Sequence, residues 1–309
     1  MRVCSLLPSA TEIVCSLGMG DHLVGVSHAC DYPPEVAALP KLTWSNISPE
    51  LSSAAIDAYV TTALAKGGEL YGLDVALLER LAPDLILTQR LCDVCAVSAD
   101  NVQAALANLT CKPQILYLEP HSVEDILRNI GEVAATLGQS DRAITLVANL
   151  LSRIETVRAG SRNAARPRVF CMEWVDPPYC GGHWMQEVVE LAGGEDALSH
   201  RHRPSYRISW EQVLSYSPEI IVLTCCGYDL QRCLREAQLL VHMPNASELP
   251  AFREDRVFAT DGSSYFSRPG PRIVDSLEIM AHLIHPELFA APHLPGSWAK
   301  VHLDCAAAA

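Results

Sequence analysis

Basic residues are scarce in this sequence. Its 309 residues include 23 Lys and Arg against 36 Asp and Glu, which gives a formal net charge of −13. Nucleic acids and anionic membrane surfaces bind basic surfaces, so the charge balance argues against both as partners. Enzyme signatures are missing as well. We find no phosphate-binding P-loop, no G-x-G-x-x-G after a predicted strand and no nucleophile–base signature, and we expect no catalytic cycle.

Long apolar runs and a leader are also lacking. No run reaches the roughly 18 residues that a transmembrane helix needs, so we expect no membrane insertion. Met1 is followed directly by RVCSLLP, a predicted strand, and not by the regions of a secretory signal. We therefore expect a cytoplasmic protein, or a periplasmic or extracellular one whose leader has been removed. The 12 cysteines are too few for a disulfide scaffold in a chain of this length, and we interpret them as reduced.

Strand-like runs alternate with helical periods along the chain. Hydrophobic residues make up 49% and charged residues 19%, as in a globular protein. Ser9-x-x-Glu12 reads as a capping box that opens the first helix, which ends at Gly18. Strand–helix alternation predicts an α/β fold with parallel sheets. The predicted strands are residues 2–8, 23–27, 84–88, 114–119, 168–174, 220–224 and 256–262.

One pattern occurs twice. LLERLAPDLILT (77–88) and SWEQVLSYSPEIIVLT (209–224) each read as a helix, a stopping proline, an acid, a buried strand and a threonine. This repeat predicts two related α/β lobes. The intervening residues 122–163 contain no strand signal and include a helix of about 23 residues, or roughly 34 Å. The predicted organisation is an N-terminal lobe (1–120), a bridging helix (121–165), a C-terminal lobe (166–290) and a tail (291–309).

Five stretches carry a resemblance to a known family. RVCSLLPSATEIVCSLGMGDHLVGVSHACDYPP, LAPDLILTQ, GGHWMQEVVELAGGED, SWEQVLSYSPEIIVLT and YFSRPGPRIVD, in this order, resemble the Fe/cobalamin-type substrate-binding domain. This is the helix-bridged class of binding proteins that serve ABC importers. The resemblance implies two Rossmann-like lobes joined by a long backbone helix. It also implies a corrinoid such as cobalamin, a haem or a siderophore held in the cleft between the lobes, with no cofactor required. We expect a monomer.

Some residues match the family's functional positions. Tyr32 in CDYPP matches a cleft tyrosine that packs against the ligand. Glu211 in SWEQVL matches the acid that docks the second lobe onto the importer permease. The first-lobe docking position holds Ala76, with Asp74 nearby, and residues 205–206 (Ser-Tyr) stand where the family has a second-lobe cleft tryptophan.

Ligands in open α/β sheets bind beyond the carboxyl ends of the strands, which makes the loops there the candidate site. Aromatic side chains in these loops are expected to stack on a flat ligand, and an arginine to pair with a carboxylate or phosphate. The alternative for each is a structural role in core packing or as a loop anchor. The loop after residues 23–27 also carries His28 and Cys30. The candidate ligand-binding residues are Ser9, Tyr32, Tyr71, Cys92, Cys95, His183, Trp184, Cys225, Phe266 and Arg268.

The Cys92-x-x-Cys95 pair is open to three interpretations. Thiolate and imidazole suit a transition metal or a cobalt or iron centre, so Cys92, Cys95 and His183 are candidate metal ligands. A thioredoxin-like redox pair at a helix start is the second interpretation. The third is pocket lining. We expect Cys92 and Cys95 to line the first-lobe side of the cleft, facing Cys225 and Cys226.

Two further functions stay open beside importer-linked binding. One is a cytosolic metal or corrinoid carrier that uses the cleft cysteines, and the other is an enzyme of cobamide metabolism or thiol chemistry on the same fold. Thiol-dependent metal uptake favours the carrier, and turnover of a bound corrinoid favours the enzyme. The stretch SHRHRPSYR (199–207) is either a solvated surface or a rim that meets an anionic ligand.

Overall fold

The computed structural model of the chain describes residues 1–90, 97, 102–103 and 109–302. The described part forms an α/β structure that divides into two compact units, as the repeat predicts. Each unit contains one mainly parallel sheet. Unit 1 comprises Met1–Pro120 and Glu124–Asn149, and unit 2 comprises His121–Val123 and Leu150–Ala309.

Unit 1 is built on a four-stranded parallel sheet in the order β2-β1-β5-β6, with a separate antiparallel pair, β3 and β4. β1 and β5 are buried at every position, which is typical of parallel strands covered on both faces. The strands are β1 (Val3–Ser5), β2 (Leu23–Val26), β3 (Thr43–Ser45), β4 (Tyr71–Leu73), β5 (Leu85–Thr88) and β6 (Gln114–Tyr117).

The start of the first helix differs from the prediction. The N-cap residue is Leu7, which makes no side-chain cap, and Pro8 occupies the first turn. Proline has the backbone torsion of a helix start and needs no hydrogen-bond partner for its nitrogen, so the helix begins there. Ser9 and Glu12 lie inside the helix and are buried, so the predicted capping box is wrong. The helices associated with unit 1 are α1 (Pro8–Ser16), α2 (Ser53–Ala65), α3 (Val75–Leu81) and α4 (Val123–Thr136).

The predicted bridging segment contains two helices, Val123–Thr136 and Ser140–Ser161, separated by a short turn. No strand interrupts residues 122–163, all of which the structure describes. Helix α5 (Ser140–Ser161) has 22 residues, close to the predicted length. The boundary between the units falls inside it, between Asn149 and Leu150. In unit 1, Arg142 of α5 donates a hydrogen bond to the carbonyl of Leu17 at 2.7 Å, which anchors the first half of the helix.

Unit 2 contains a five-stranded sheet in the order β11-β10-β9-β7-β8. Its three central strands are parallel and both edge strands are antiparallel. β11 lies in the segment predicted as a tail. It pairs with β10, where Trp298 packs edge-on against Phe258 at 6.1 Å between ring centres. The strands are β7 (Val169–Trp174), β8 (Tyr179–Cys180), β9 (Ile220–Leu223), β10 (Val257–Thr260) and β11 (Trp298–Lys300).

The helices of unit 2 preserve the repeat seen in the sequence. Both α3 and α7 end in a residue with left-handed backbone torsions, Ala82 (φ 42°) and Ser217 (φ 53°), each directly before a proline. The chain then enters a buried parallel strand in each unit. None of the helices in the described ranges has the length and apolarity to cross a membrane. The helices are α6 (Met185–Leu191), α7 (Trp210–Tyr216), α8 (Leu230–Ala237), α9 (Pro250–Arg253) and α10 (Ile273–Ile284).

Candidate functional site

His28 follows β2 at the carboxyl end of the unit 1 sheet, and the β3–β4 pair supports its ring. The backbone N–H of His28 donates to Thr43 Oγ1 at 3.0 Å, and its ring Nδ1 lies 2.7 Å from the same oxygen. The ring stacks on Tyr71, with centres 5.7 Å apart and planes 29° apart. Thr43 is buried, whereas His28 is exposed. Partial desolvation of the imidazole, and then the charge of Lys41, lower the pKa of His28 from its ordinary value.

Tyr32, the predicted cleft tyrosine, ends the same loop. Its side chain is 46% exposed, which is high for a large aromatic residue. Tyr71, the other predicted aromatic contact in unit 1, is partly buried on β4. Ser9 is buried at the start of α1, so only a small part of it reaches the surface. The loop after β2 therefore presents Tyr32 and His28 outward.

Most described cysteines are structural. Thr11 Oγ1 lies 3.1 Å from Cys30 Sγ, and burial raises the pKa of the Cys30 thiol. Burial also raises the pKa of Cys4 to about 12 and that of Cys15 to about 11. These thiols are protonated at pH 7 and lack the thiolate character that metal binding or redox exchange needs.

Cys92 and Cys95 lie outside the described residues, so the predicted facing of the two cysteine groups stays a prediction. On the unit 2 side, Cys225 is fully buried. A hydrogen bond with Cys233, and then burial, raise the pKa of Cys225 well above its usual value. Its burial favours packing inside unit 2, and its predicted ligand contact stays a prediction. Cys226 is half-buried.

Two aromatic residues that the sequence analysis missed lie beyond the strand ends of unit 2. Trp174 ends β7 and packs against Tyr228, which follows β9, with ring centres 4.8 Å apart. Arg232 stacks over Tyr228 at 4.7 Å and pairs with Glu236 at 2.9 Å. Trp174 is half-buried and Tyr228 is buried. Trp174 ends one predicted strand and Tyr228 lies in the loop after another, so the rule that ligands bind at strand ends could have identified both.

Trp184 and Phe266 belong to the interior of unit 2. Trp184 is 6% exposed, and its Nε1 donates to the carbonyl oxygen of Phe266 at 3.2 Å. Phe266 is buried as well, and so is Arg268. The burial of all three side chains favours the structural alternative, and their predicted ligand contacts stay predictions.

His183 precedes α6 in a left-handed backbone conformation with φ 52°. Its ring lies 5.5 Å from that of His121 and 5.6 Å from that of Trp184. Burial and then His121 lower the pKa of His183 to about 4. Among the residues that the structure describes, no three His, Cys, Asp or Glu side chains are close enough to hold a metal. The predicted partners Cys92 and Cys95 are not among those residues, so the metal prediction is untested.

The loop that follows α6 forms backbone hydrogen bonds with His183, which precedes α6. The backbone N–H of His183 donates to Arg203 at 2.6 Å, and that of His202 donates to His183 at 3.1 Å. His200 stacks on Tyr206 at 5.1 Å. The predicted His- and Arg-rich rim is therefore an ordered, largely exposed part of unit 2.

The two predicted docking acids differ in how they are held. Glu211 is exposed in the first turn of α7, and hydrogen bonds from its own backbone N–H and from Ser209 lower its pKa. Asp74 is the N-cap of α3, where its Oδ1 accepts a hydrogen bond from the Leu77 N–H at 2.8 Å. Ala76 holds the second position of α3, as Glu211 does in α7. Only Glu211 presents an acid at this helix position.

Comparison with known sequences identifies relatives across most of the chain. A family model described as periplasmic binding protein matches residues 3–263. The chain is 25% identical over 285 residues to a vitamin B12-binding protein of Vibrio parahaemolyticus, which covers 91% of this chain and 88% of that protein. It is 30% identical over 229 residues to a vitamin B12-binding protein of Pectobacterium carotovorum, covering 72% of this chain and 70% of that protein.

Solved structures show the same fold. The periplasmic vitamin B12 binding protein BtuF of Vibrio cholerae matches with a TM-score of 0.67 and 24% identity, covering 92% of this chain and 96% of that one. A periplasmic heme binding protein from Pseudomonas aeruginosa matches with a TM-score of 0.72 and 17% identity, covering 97% and 99%. At these identities the likeness establishes the α/β fold and leaves the choice of ligand to other arguments.

Proposed function

Because the chain belongs to the periplasmic binding protein family, we propose that it binds a corrinoid of the vitamin B12 type and releases it chemically unchanged. The observation that carries this proposal is the match to a vitamin B12-binding protein over 91% of the chain. The relatives are binding proteins, which favours binding over an enzyme of cobamide or thiol chemistry. Like its relatives, the protein would act outside the cytoplasm.

The strand-end loops supply suitable contacts for a large flat ligand. In unit 1 these are Tyr32 and the His28–Tyr71 pair, and in unit 2 it is the half-buried Trp174. Aromatic rings stack on extended π-systems and bury large areas at low entropic cost. We assign ligand contact to these residues in place of the buried Trp184 and Phe266.

Haem is the second candidate. The likeness to a periplasmic heme binding protein motivates it, and a haem has the same flat shape and central metal as a corrinoid. Aromatic stacking alone does not distinguish the two ligands. The difference lies in the amide-bearing rim of a corrinoid against the carboxylate-bearing rim of a haem, and the exposed arginines of the loop at 199–207 would favour carboxylates.

For a partner, we propose an ABC importer permease that contacts Glu211. This acid is exposed at the start of α7, and its low pKa keeps it charged. The corresponding position on α3 holds Ala76, so docking through unit 1 would not use an acid at that helix position. Glu211→Ala is expected to weaken binding to the permease and to leave ligand binding unchanged.

Absorption titration tests the function directly. Purified protein is mixed with increasing cobalamin, cobinamide or haem, and the spectral change is fitted to a single site. We expect saturable binding of a corrinoid with one ligand per chain and no new product on prolonged incubation. Saturation by haem alone moves the assignment to haem. Conversion of the corrinoid to a new species points to an enzyme.

A further inference from the structure

We propose that His28 is the axial ligand that unit 1 offers to the central metal of the bound tetrapyrrole. The ligand class is then a corrinoid or haem with an open axial position, such as a corrinoid that lacks its lower nucleotide base. This inference rests on the proposed function, because it concerns the same bound molecule.

The first argument is that the His28 ring is held in one orientation. Thr43 Oγ1 lies 3.0 Å from the backbone nitrogen of His28 and 2.7 Å from ring Nδ1. Tyr71 covers one face of the ring at 5.7 Å. Thr43 and Tyr71 belong to β3 and β4, which pair directly, so one antiparallel strand pair supplies both contacts. A histidine on an exposed loop needs no such support for solubility or packing.

The second argument concerns the two ring nitrogens. Metal-bound histidines usually donate their other ring N–H to an oxygen acceptor, which fixes the tautomer and the ring orientation. A hydroxyl oxygen has two lone pairs, so Thr43 can accept both the backbone N–H and the Nδ1–H of His28. In that arrangement Nε2 carries no proton, and its lone pair can coordinate the metal.

The third argument is position. His28 is exposed and follows β2, at the sheet edge where ligands of open α/β sheets bind. Tyr32 ends the same loop with much of its ring exposed, which would let it pack on the macrocycle whose metal His28 binds. The other described histidine near β2, His22, lies at the opposite end of the strand, where its Nδ1 contacts the Met1 carbonyl oxygen at 2.8 Å. His22 therefore serves as a matched control.

The test is electron paramagnetic resonance of Co(II) cobinamide bound to the protein. Cobinamide has no nucleotide base, so any axial nitrogen must come from the protein. A single nitrogen-14 ligand splits the cobalt lines into triplets, and nitrogen-15 histidine labelling would convert them to doublets. We expect triplets in the wild type and in His22→Ala, and their loss in His28→Ala. Affinity is measured in parallel by absorption titration.

Thr43→Val provides a second variant that keeps the shape of the side chain. Loss of the orienting hydroxyl is expected to weaken Co(II) cobinamide binding about 10–100-fold without affecting the fold. Bound cobinamide without triplets in the wild type, or triplets that survive in His28→Ala, would overturn the axial assignment and leave the proposed function standing. A wild-type protein that binds no cobinamide, cobalamin or haem would overturn both.

Discussion

Side chains of the same type differ in burial and in contacts in this fold. Trp184 is buried and bonded to the Phe266 carbonyl, whereas Trp174 lies at a strand end beside Tyr228. His28 is exposed on a supported ring, whereas His183 is partly enclosed between two other rings. We expect these differences to separate the residues that meet a ligand from those that affect stability alone.

Ligand affinity should depend on Tyr32. We expect Tyr32→Ala to weaken corrinoid binding by about 1–3 kcal/mol, because the variant loses an exposed ring that stacks on the ligand. Tyr59→Ala is the control, since Tyr59 is also exposed but lies on α2. Both variants should keep the wild-type thermal midpoint. Equal affinities in a titration of all three proteins would remove Tyr32 from the ligand site.

Protonation of His183 should destabilise the folded state. Its pKa is about 4 when folded, against an ordinary value of 6.5, so the unfolded chain binds the proton more tightly. The stability due to the neutral imidazole is fully present above pH 6.5 and is lost as the pH falls towards 4. We expect a urea midpoint that falls less between pH 7 and pH 5 in His183→Asn, since asparagine tolerates the left-handed backbone.

A comparison of variants is needed because Asp196 acts in the opposite direction. This fully buried carboxyl has its pKa raised to about 6, chiefly by burial, so it favours the folded state as the pH falls through 6. Subtracting the wild-type profile from that of His183→Asn isolates the histidine. His22→Asn controls for loss of a partly exposed imidazole. A His183→Asn profile parallel to the wild type would show that His183 does not titrate in this window.

At the scale of elements, α5 and α10 are joined by one arginine. Arg153 donates to both oxygens of Glu278, at 2.8 and 2.7 Å, and to Asp275 at 2.5 Å. A bidentate pair with a second carboxylate holds two helices in register, unlike a single ion pair along one helix. This contact fixes the second half of α5 to unit 2.

Arg153→Ala should therefore destabilise the protein by about 1–2 kcal/mol, because two partly buried carboxylates lose their cation. Arg158→Ala, which removes the exposed pair with Glu155 on the same helix, should cost about 0.5 kcal/mol or less. Urea unfolding with tryptophan fluorescence measures both. If the two variants were equally stable, the contact between α5 and α10 would carry no net stability.

At the scale of the whole molecule, α5 supplies residues to both units without a break. The chain also passes from one unit to the other at residues 120–121 and 123–124. A continuous helix resists bending, whereas an extended strand at a hinge can absorb large torsional changes. The helix-bridged class predicts a small response to ligand for this reason.

Small-angle scattering should show nearly the same radius of gyration with and without corrinoid. Ala148→Pro, at an exposed site in the middle of α5, would break the helix and is expected to enlarge the ligand-dependent change. Ala148→Ser keeps the helix and should behave as the wild type. A large decrease in radius for the wild type on ligand binding would contradict a stiff helical connection.

The sequence by itself determined the seven parallel strands, the repeat and the helical segment between the lobes, but not the antiparallel strands β3, β4, β8 and β11. These features depend on local periodicity and on prolines, which act over a few residues. A neighbouring residue can override such a local pattern. Pro8 starts α1, so the predicted cap residue Ser9 lies inside the helix. The resemblance of five ordered stretches also identified the family that the comparisons confirm.

Only the tertiary structure decided which candidate side chains are accessible. Trp184, Cys225, Phe266 and Arg268 all lie in segments that follow predicted strands, yet all are buried in the fold. The support of His28 likewise requires β3 and β4 to pair across more than twenty intervening residues, which no local pattern reveals. Burial and cross-strand pairing arise from long-range packing, so a sequence pattern proposes a site residue and the fold determines whether its side chain reaches the surface.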